Sequence, residues 1–73
     1  METKVNEKNL VDFIIDYESG QLDDKGILNL FSHLIRSGKA WSMQGSYGRA
    51  SRLLIEQGFI SEEGNIDESR IKT

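Results

Sequence analysis

The chain has no cysteine and no proline among its 73 residues. Without cysteine it forms no disulfide or thiolate metal site and offers no thiol nucleophile, which fits a reducing cytoplasm. No apolar run approaches the roughly 18–20 residues that span a bilayer, and the first seven residues lack the basic and apolar regions of a signal peptide. We therefore expect a soluble protein, without a membrane partner, that acts where it is made.

The short chain limits the core that the protein can build. A domain of this size buries only about 60–65% of its unfolded surface on folding, so dimerisation or binding of a partner would add appreciably to its stability. A homodimer therefore stays open. We expect one helical domain over residues 1–66, followed by a frayed polar tail over residues 67–73.

Three glycines, Gly20, Gly38 and Gly58, divide the chain into helical segments, because glycine readily adopts the left-handed conformation that ends a helix. Between them, apolar residues recur every three to four positions, which is the spacing of amphipathic helices. Asn6 or Asn9 would cap a first helix carrying Leu10, Phe13, Ile14 and Tyr17; Asp23 would cap a second carrying Ile27, Leu30, Phe31 and Leu34; Ser46 would cap a third carrying Tyr47, Ala50, Leu53, Leu54 and Ile55.

These segments predict an all-α fold, a bundle of three helices, or of four if Ala40 to Gln44 form a further turn of helix. Phe59 and Ile60 would extend to the core, and the polar residues after them allow a short C-terminal hairpin or an extended tail. We expect the core to include Phe13, Ile14, Leu30, Phe31, Leu34, Leu54 and Ile55.

The charges fall into three blocks whose pattern is more informative than the net charge of −3. Residues 1–24 carry seven acids and two bases, residues 25–52 carry five bases and no acid, and residues 53–73 carry five acids and two bases. Two interpretations stay open. The blocks pair in the fold as weak surface ion pairs, or the central block forms a basic face for an anionic partner.

The segment from Ala40 to Arg49 contains the single Trp, one of the two Tyr and two of the seven Gly. In one interpretation Trp41 and Tyr47 close the open end of a small bundle. In the other, the segment and its flanks bind a partner through Lys39, Trp41, Gln44, Tyr47, Arg49 and Arg52, since Trp, Tyr and Arg are the residue types that most often dominate interfaces. A cation in the first turn of a helix opposes its dipole, so we expect Arg49 to meet a partner's anion or a Glu from residues 2–18.

Residues 10–60 resemble a family of short proteins encoded by tailed bacteriophages. The specific part of the resemblance is the block Ala40, Trp41, Gln44, Gly45, Tyr47, Gly48 and Arg49. That family has no assigned activity, so the resemblance implies a phage origin and action in the cytoplasm of the infected bacterial host. The acidic segment beyond Ile60 lies outside the shared pattern, and we expect it to be particular to this chain.

No catalytic or metal-binding motif stands out. His33 is the one histidine, and we expect a surface or boundary position for it because no catalytic partner can be identified. Asp23 and Asp24 fit a helix cap, and Glu62 and Glu63 a solvated turn, better than metal ligands. The glycines at 45 and 48 lack the Lys-Ser/Thr ending of a phosphate loop. We therefore expect no enzyme, no catalytic residue, no metal and no cofactor.

Two classes of binding protein remain. The first is a small phage effector that binds and modulates or inhibits a host or defence protein, and this is the function we expect. The alternative is a nucleic-acid-binding regulator of the helix-turn-helix or winged-helix kind, in which the helix starting near Ser46 would be the recognition helix. The net acidity and the long connection from Gly38 to Ser46 count against the alternative.

Overall fold

Four helices form the fold of the residues that the computed structural model describes, 5–43, 45–67 and 69. They are α1 (Leu10–Glu18), α2 (Asp24–Ser37), α3 (Lys39–Ser42) and α4 (Gly45–Glu56). The all-α prediction is confirmed. α3 is the further turn of helix that the sequence left open. α4 begins at Gly45, so Ser46, the expected cap, is already the second residue of the helix.

α2 is the central element and packs against both α1 and α3. As predicted, the Asp23 side chain caps it by accepting a hydrogen bond from the backbone N–H of Gly26 at 2.8 Å. Gly38 ends it in the left-handed conformation, with φ of 79°. Six residues of this helix are buried, namely Leu28, Leu30, Phe31, Ser32, Leu34 and Ile35.

α1 lies on α2 as an outer layer, and none of its residues is fully buried. Asn9 occupies the position before the helix, but its side chain does not cap it. The Asn9 side chain instead accepts from the backbone N–H of Asn6 at 2.7 Å, and the Asn6 side chain accepts from the backbone N–H of Asn9 at 3.1 Å. The two asparagines therefore build a turn that leads into α1.

The core agrees with the prediction in α2 and differs elsewhere. Leu30, Phe31 and Leu34 are fully buried. The other four expected residues are half-buried and pack against the core from outside: Phe13, Ile14, Leu54 and Ile55. In their place the fully buried set gains Leu28, Ile35, Ala40, Tyr47 and Ile60. Much of the circumference of α2 is buried because α1, α3 and the C-terminal segment all pack against it.

The C-terminal segment folds back as a tight turn, which is the predicted hairpin reduced to a single bridge. Ile60 and Ile66 pair in antiparallel fashion, and the backbone N–H of Asp67 donates to the Phe59 carbonyl at 2.8 Å. Ile60 is 1% exposed and belongs to the core. Asp67, the first residue of the predicted frayed tail, is thus held, while residues 68 and 70–73 of that tail lie outside the described part of the chain.

Gly64 fixes this turn against α2. Its carbonyl accepts hydrogen bonds from the Ser32 hydroxyl and from Arg36 Nε, and Arg36 Nη2 donates to Asn65 Oδ1 at 2.9 Å. The backbone of Gly64 has φ of 96°. A Cβ at this position would lie 2.5 Å from Arg36 Cγ and 2.9 Å from the Ser32 carbonyl oxygen. Only glycine meets both the conformation and the close approach.

We expect Gly64→Ala to destabilise the protein by more than Gly20→Ala. Gly20 also has positive φ, 80°, but a Cβ there would meet nothing within 4 Å, so its substitution costs about 1–2 kcal/mol of backbone strain alone. The clash with α2 should add about 1–3 kcal/mol for Gly64→Ala. Urea denaturation followed by circular dichroism measures both, and equal losses would show that the turn is not packed on α2.

Candidate partner-binding surface

Trp41 lies at the surface where α3 meets α4. Its side chain is 52% exposed, so it belongs to the surface more than to the core. A Cβ on Gly48 would lie 3.9 Å from Trp41 Cε3 and 3.5 Å from the Ala40 carbonyl oxygen. Both are ordinary contact distances, so the Gly48 flank of α4 packs against α3 and the Trp41 ring lies beside it.

Arg49 and Arg52 stand on the outer face of α4. Both are exposed, and within the described part of the chain neither has a carboxylate at ion-pair distance. Arg52 is four residues after Gly48, which places it on the same flank of the helix as the ring of Trp41. Arg49 is the fifth residue of α4, one position later than a first-turn residue. Its Nη2 nevertheless lies 3.7 Å from where a Cβ on Gly45 would stand, so the charge is close to the start of the helix, where the dipole disfavours a cation.

Lys39 is already engaged within the protein. Its Nζ lies 3.8 Å from Glu7 Oε2, and His33 Nε2 lies 3.9 Å from the same oxygen. Arg36, as described above, is held by the C-terminal turn. Each of the two interpretations therefore holds for part of the basic block at residues 25–52. Lys39 pairs with an acid of the N-terminal block, whereas Arg49 and Arg52 have no described carboxylate beside them.

Tyr47 is a core residue, which corrects the expectation that it lies on the binding surface. It is 5% exposed, and its ring centroid lies 5.8 Å from that of Tyr17 and 5.9 Å from that of Phe31. Its hydroxyl donates a hydrogen bond to Glu18 Oε2 at 2.6 Å. A Glu of residues 2–18 is one of the two expected partners of Arg49, the other being an anion of a partner molecule. The structure pairs Glu18 with Tyr47 instead.

The sequence-predicted site thus separates into parts. The structure brings Trp41 and Arg52 to one flank of α4, with Arg49 beside them. Lys39 is separate from them, because it lies two residues before Trp41 on α3 and contacts Glu7. Gln44 lies outside the described residues. Glu18 was missed as a partner of Tyr47 because the two are 29 positions apart, and no sequence spacing connects residues of two helices that meet only in the folded chain.

The buried position of Tyr47 changes its acid–base behaviour. Burial, and then the hydrogen bond to the Glu18 carboxylate, raise the pKa of Tyr47 far above its ordinary value of 10.0. A phenol in this environment holds its proton and does not serve as a base near neutral pH. Within residues 5–43, 45–67 and 69, no three His, Asp or Glu side chains gather as metal ligands.

Comparison with known protein families identifies the family to which the chain belongs. It belongs to the family described as a domain of unknown function (DUF7417), whose model matches residues 4–72. The match continues beyond Ile60, so it includes the C-terminal turn that we expected to be particular to this chain. Neither the curated proteins nor the solved structures contain a match. Among the described helices, none is long and apolar enough to cross a membrane.

We expect Tyr47 to stay protonated in the folded protein at pH 11. Tyr17→Phe keeps a ring at that position and leaves Tyr47 as the single tyrosine, so absorbance at the tyrosinate band reports Tyr47 alone. Because the folded pKa is raised, its contribution to stability is complete below about pH 10 and is lost as the pH rises further, when the unfolded chain ionises first.

The matched measurement is helix content by circular dichroism over the same titration. Tyrosinate should appear together with loss of helix and not before it. An ordinary titration centred near pH 10 in a fully helical protein would contradict the buried position of the phenol.

Proposed function

We propose that the protein is a small, non-enzymatic effector that binds and modulates or inhibits a protein of the bacterial cell in which it is made. The observation that carries the proposal is the α3–α4 surface, which we define as Trp41, Arg49 and Arg52. Trp41 is half-exposed beside two arginines that no described carboxylate neutralises. Trp and Arg are the side chains that most often dominate binding energy at interfaces.

The chemistry of this surface defines the partner that it fits. A half-exposed indole gains most when an apolar group covers it, and exposed guanidinium groups gain most from carboxylates that they bind in bidentate fashion. The partner should therefore present an apolar side chain flanked by Asp or Glu. The block from Ala40 to Arg49, which resembles the phage family, supports an origin in a tailed phage and action in the host cytoplasm.

We expect Trp41→Ala and Arg52→Glu to weaken partner binding by at least about 1–2 kcal/mol each. Both positions are exposed, so the melting temperature should change little. Affinity capture from nuclease-treated host lysate, followed by calorimetry with the captured protein, measures the effect. Lys25→Glu makes the same charge change as Arg52→Glu at an exposed position of the first turn of α2, and it serves as the matched control.

The proposal requires a protein that is captured by the wild type and by Lys25→Glu but lost with Arg52→Glu. Capture that is equal for all four proteins would place the binding elsewhere on the molecule. A variant that loses both binding and its thermal transition would show that its side chain supports the fold.

A nucleic-acid-binding regulator is the second candidate, and the order of the elements favours it. Short α3, the two-residue connection at 43–44, α4 and the C-terminal turn follow one another as in a helix-turn-helix with a small wing. The connection between the helices is much shorter than the sequence suggested. Against this candidate, Glu62 and Glu63 are exposed on the turn, where a wing would meet phosphates.

We expect duplex DNA to bind weakly. Two open arginines on a domain of net charge −3 neutralise few phosphates, so any affinity should collapse between about 50 and 200 mM salt. A mobility-shift titration tests this expectation, with Arg52→Ala against Lys25→Ala as the matched pair. Tight, sequence-selective binding at about 150 mM salt that Arg52→Ala alone reduces would establish the second candidate in place of the first.

A further inference from the structure

An open cleft lies between the C-terminal end of α4 and the turn that follows it. Its volume is about 460 Å³. We call it the α4–turn cleft and define it by the lining residues Ile55, Ile60, Glu62, Ile66 and Asp67. The three isoleucines give it an apolar wall. Binding sites of this size are commonly apolar with a few polar groups that orient the ligand, so the cleft suits a ligand with an apolar portion.

The charged groups of the α4–turn cleft are acidic. Glu62 and Asp67 line it, and no lysine or arginine is among its described lining residues. Glu62 is exposed, and within the described chain it has no base at ion-pair distance. Asp67 Oδ1 accepts hydrogen bonds from the backbone N–H and the hydroxyl of Ser69, at 3.1 and 2.7 Å. These neutral donors position the Asp67 carboxylate without removing its charge.

The end of α4 adds negative potential at the same place. Ile55 of its last turn and Gly58, just beyond the helix, both line the cleft. The backbone carbonyls at the C-terminal end of a helix carry a partial negative charge, which a nearby cation stabilises. α4 has no basic residue in its last turn, and its last residue is the exposed acid Glu56. The sequence of α4 therefore supplies no cation for this end of the helix.

Arg36 is a base that contacts the C-terminal turn, but it does so from α2. Its Nη2 donates to Asn65 Oδ1 at 2.9 Å, and its Nε donates to the Gly64 carbonyl at 3.4 Å. Arg36 thus holds the turn on α2 and is not among the residues that line the cleft. The carboxylates in and beside the cleft outnumber this one guanidinium, so the α4–turn cleft attracts a cation.

We propose that the α4–turn cleft binds a lysine or arginine side chain that a partner protein presents. Lysine and arginine combine an apolar stem with a cationic head, and the cleft offers a complement to both parts. The methylene stem lies on the isoleucines, and the head binds Glu62 and Asp67 beside the carbonyl end of α4. The cleft shares no residue with the α3–α4 surface, so it is a second binding site.

A titration of the isotope-labelled full chain with a blocked peptide that carries one lysine among alanines tests the proposal by NMR. The backbone amides of residues 58–67 should shift saturably, with a Kd of about 1 mM. The amides of Asp12 and Asp16, which are exposed acids of α1, should not shift. The same peptide with norleucine in place of lysine keeps the stem without the charge, and it should bind at least about threefold more weakly.

Two neighbouring acids give a matched pair of variants. Glu62→Gln removes a carboxylate of the cleft and should weaken binding of the lysine peptide about two- to fivefold. Glu63→Gln makes the same change at the next residue, which is exposed but does not line the cleft, and it should leave binding unchanged. Because both side chains are exposed, the melting temperature of each variant should stay close to that of the wild type.

The absence of saturable shifts at about 10 mM lysine peptide would overturn the proposal, as would equal binding of the norleucine peptide. Equal affinities of Glu62→Gln and Glu63→Gln would also overturn it, because the cation would then respond to the overall charge and not to the cleft. These outcomes do not depend on the proposed function. Arg52→Glu should still bind the lysine peptide, and Glu62→Gln should still capture a partner protein through the α3–α4 surface.

Discussion

The position of Tyr47 is the constraint on which the arrangement of the helices depends. Its ring meets Tyr17 of α1 and Phe31 of α2, and the rings of these two residues themselves pack edge to face at 5.4 Å. The Tyr47 hydroxyl donates to Glu18, so the polar atom that Tyr47 brings into this aromatic junction has a hydrogen-bond partner. Three helices that are distant in sequence thus share a single aromatic contact, and α1, which has no fully buried residue, is anchored to α4 at one end only.

This anchoring determines which surfaces remain open. Because α3 approaches α4 over Gly48 and α1 meets it at Tyr47, the outer face of α4 stays exposed between them. Arg52 lies toward Trp41 on this face, and Arg49 and Leu53 are exposed beside it. The central bases that could have paired with the acidic blocks behave differently from one another. Arg36 holds the C-terminal turn and Lys39 contacts Glu7, while Arg49 and Arg52 have no described carboxylate at ion-pair distance.

Most of the helical structure could be predicted from the sequence. The caps at Asp23 and Gly38 act through residues next to them in sequence, and the apolar spacing of α2 marks Leu30, Phe31 and Leu34 as core. The candidate site was less predictable. Trp41 and Tyr47 are six positions apart and of similar chemistry, yet one is half-exposed and the other is buried. Nothing local distinguishes them, because the difference comes from α1 and α2 covering Tyr47 and no element covering Trp41.

The sequence by itself determined the helical class, the start and end of α2, and the alternation of acidic and basic segments, since propensity, capping and charge depend on neighbouring residues. The tertiary structure decided which charges are paired, that Gly64 and Ile60 hold the C-terminal turn on α2, and that two of the aromatic residues enclose Tyr47. These features depend on contacts between residues about 30 positions apart, such as Ser32 with Gly64 and Glu18 with Tyr47. Such contacts form only when packing has fixed the relative positions of the helices.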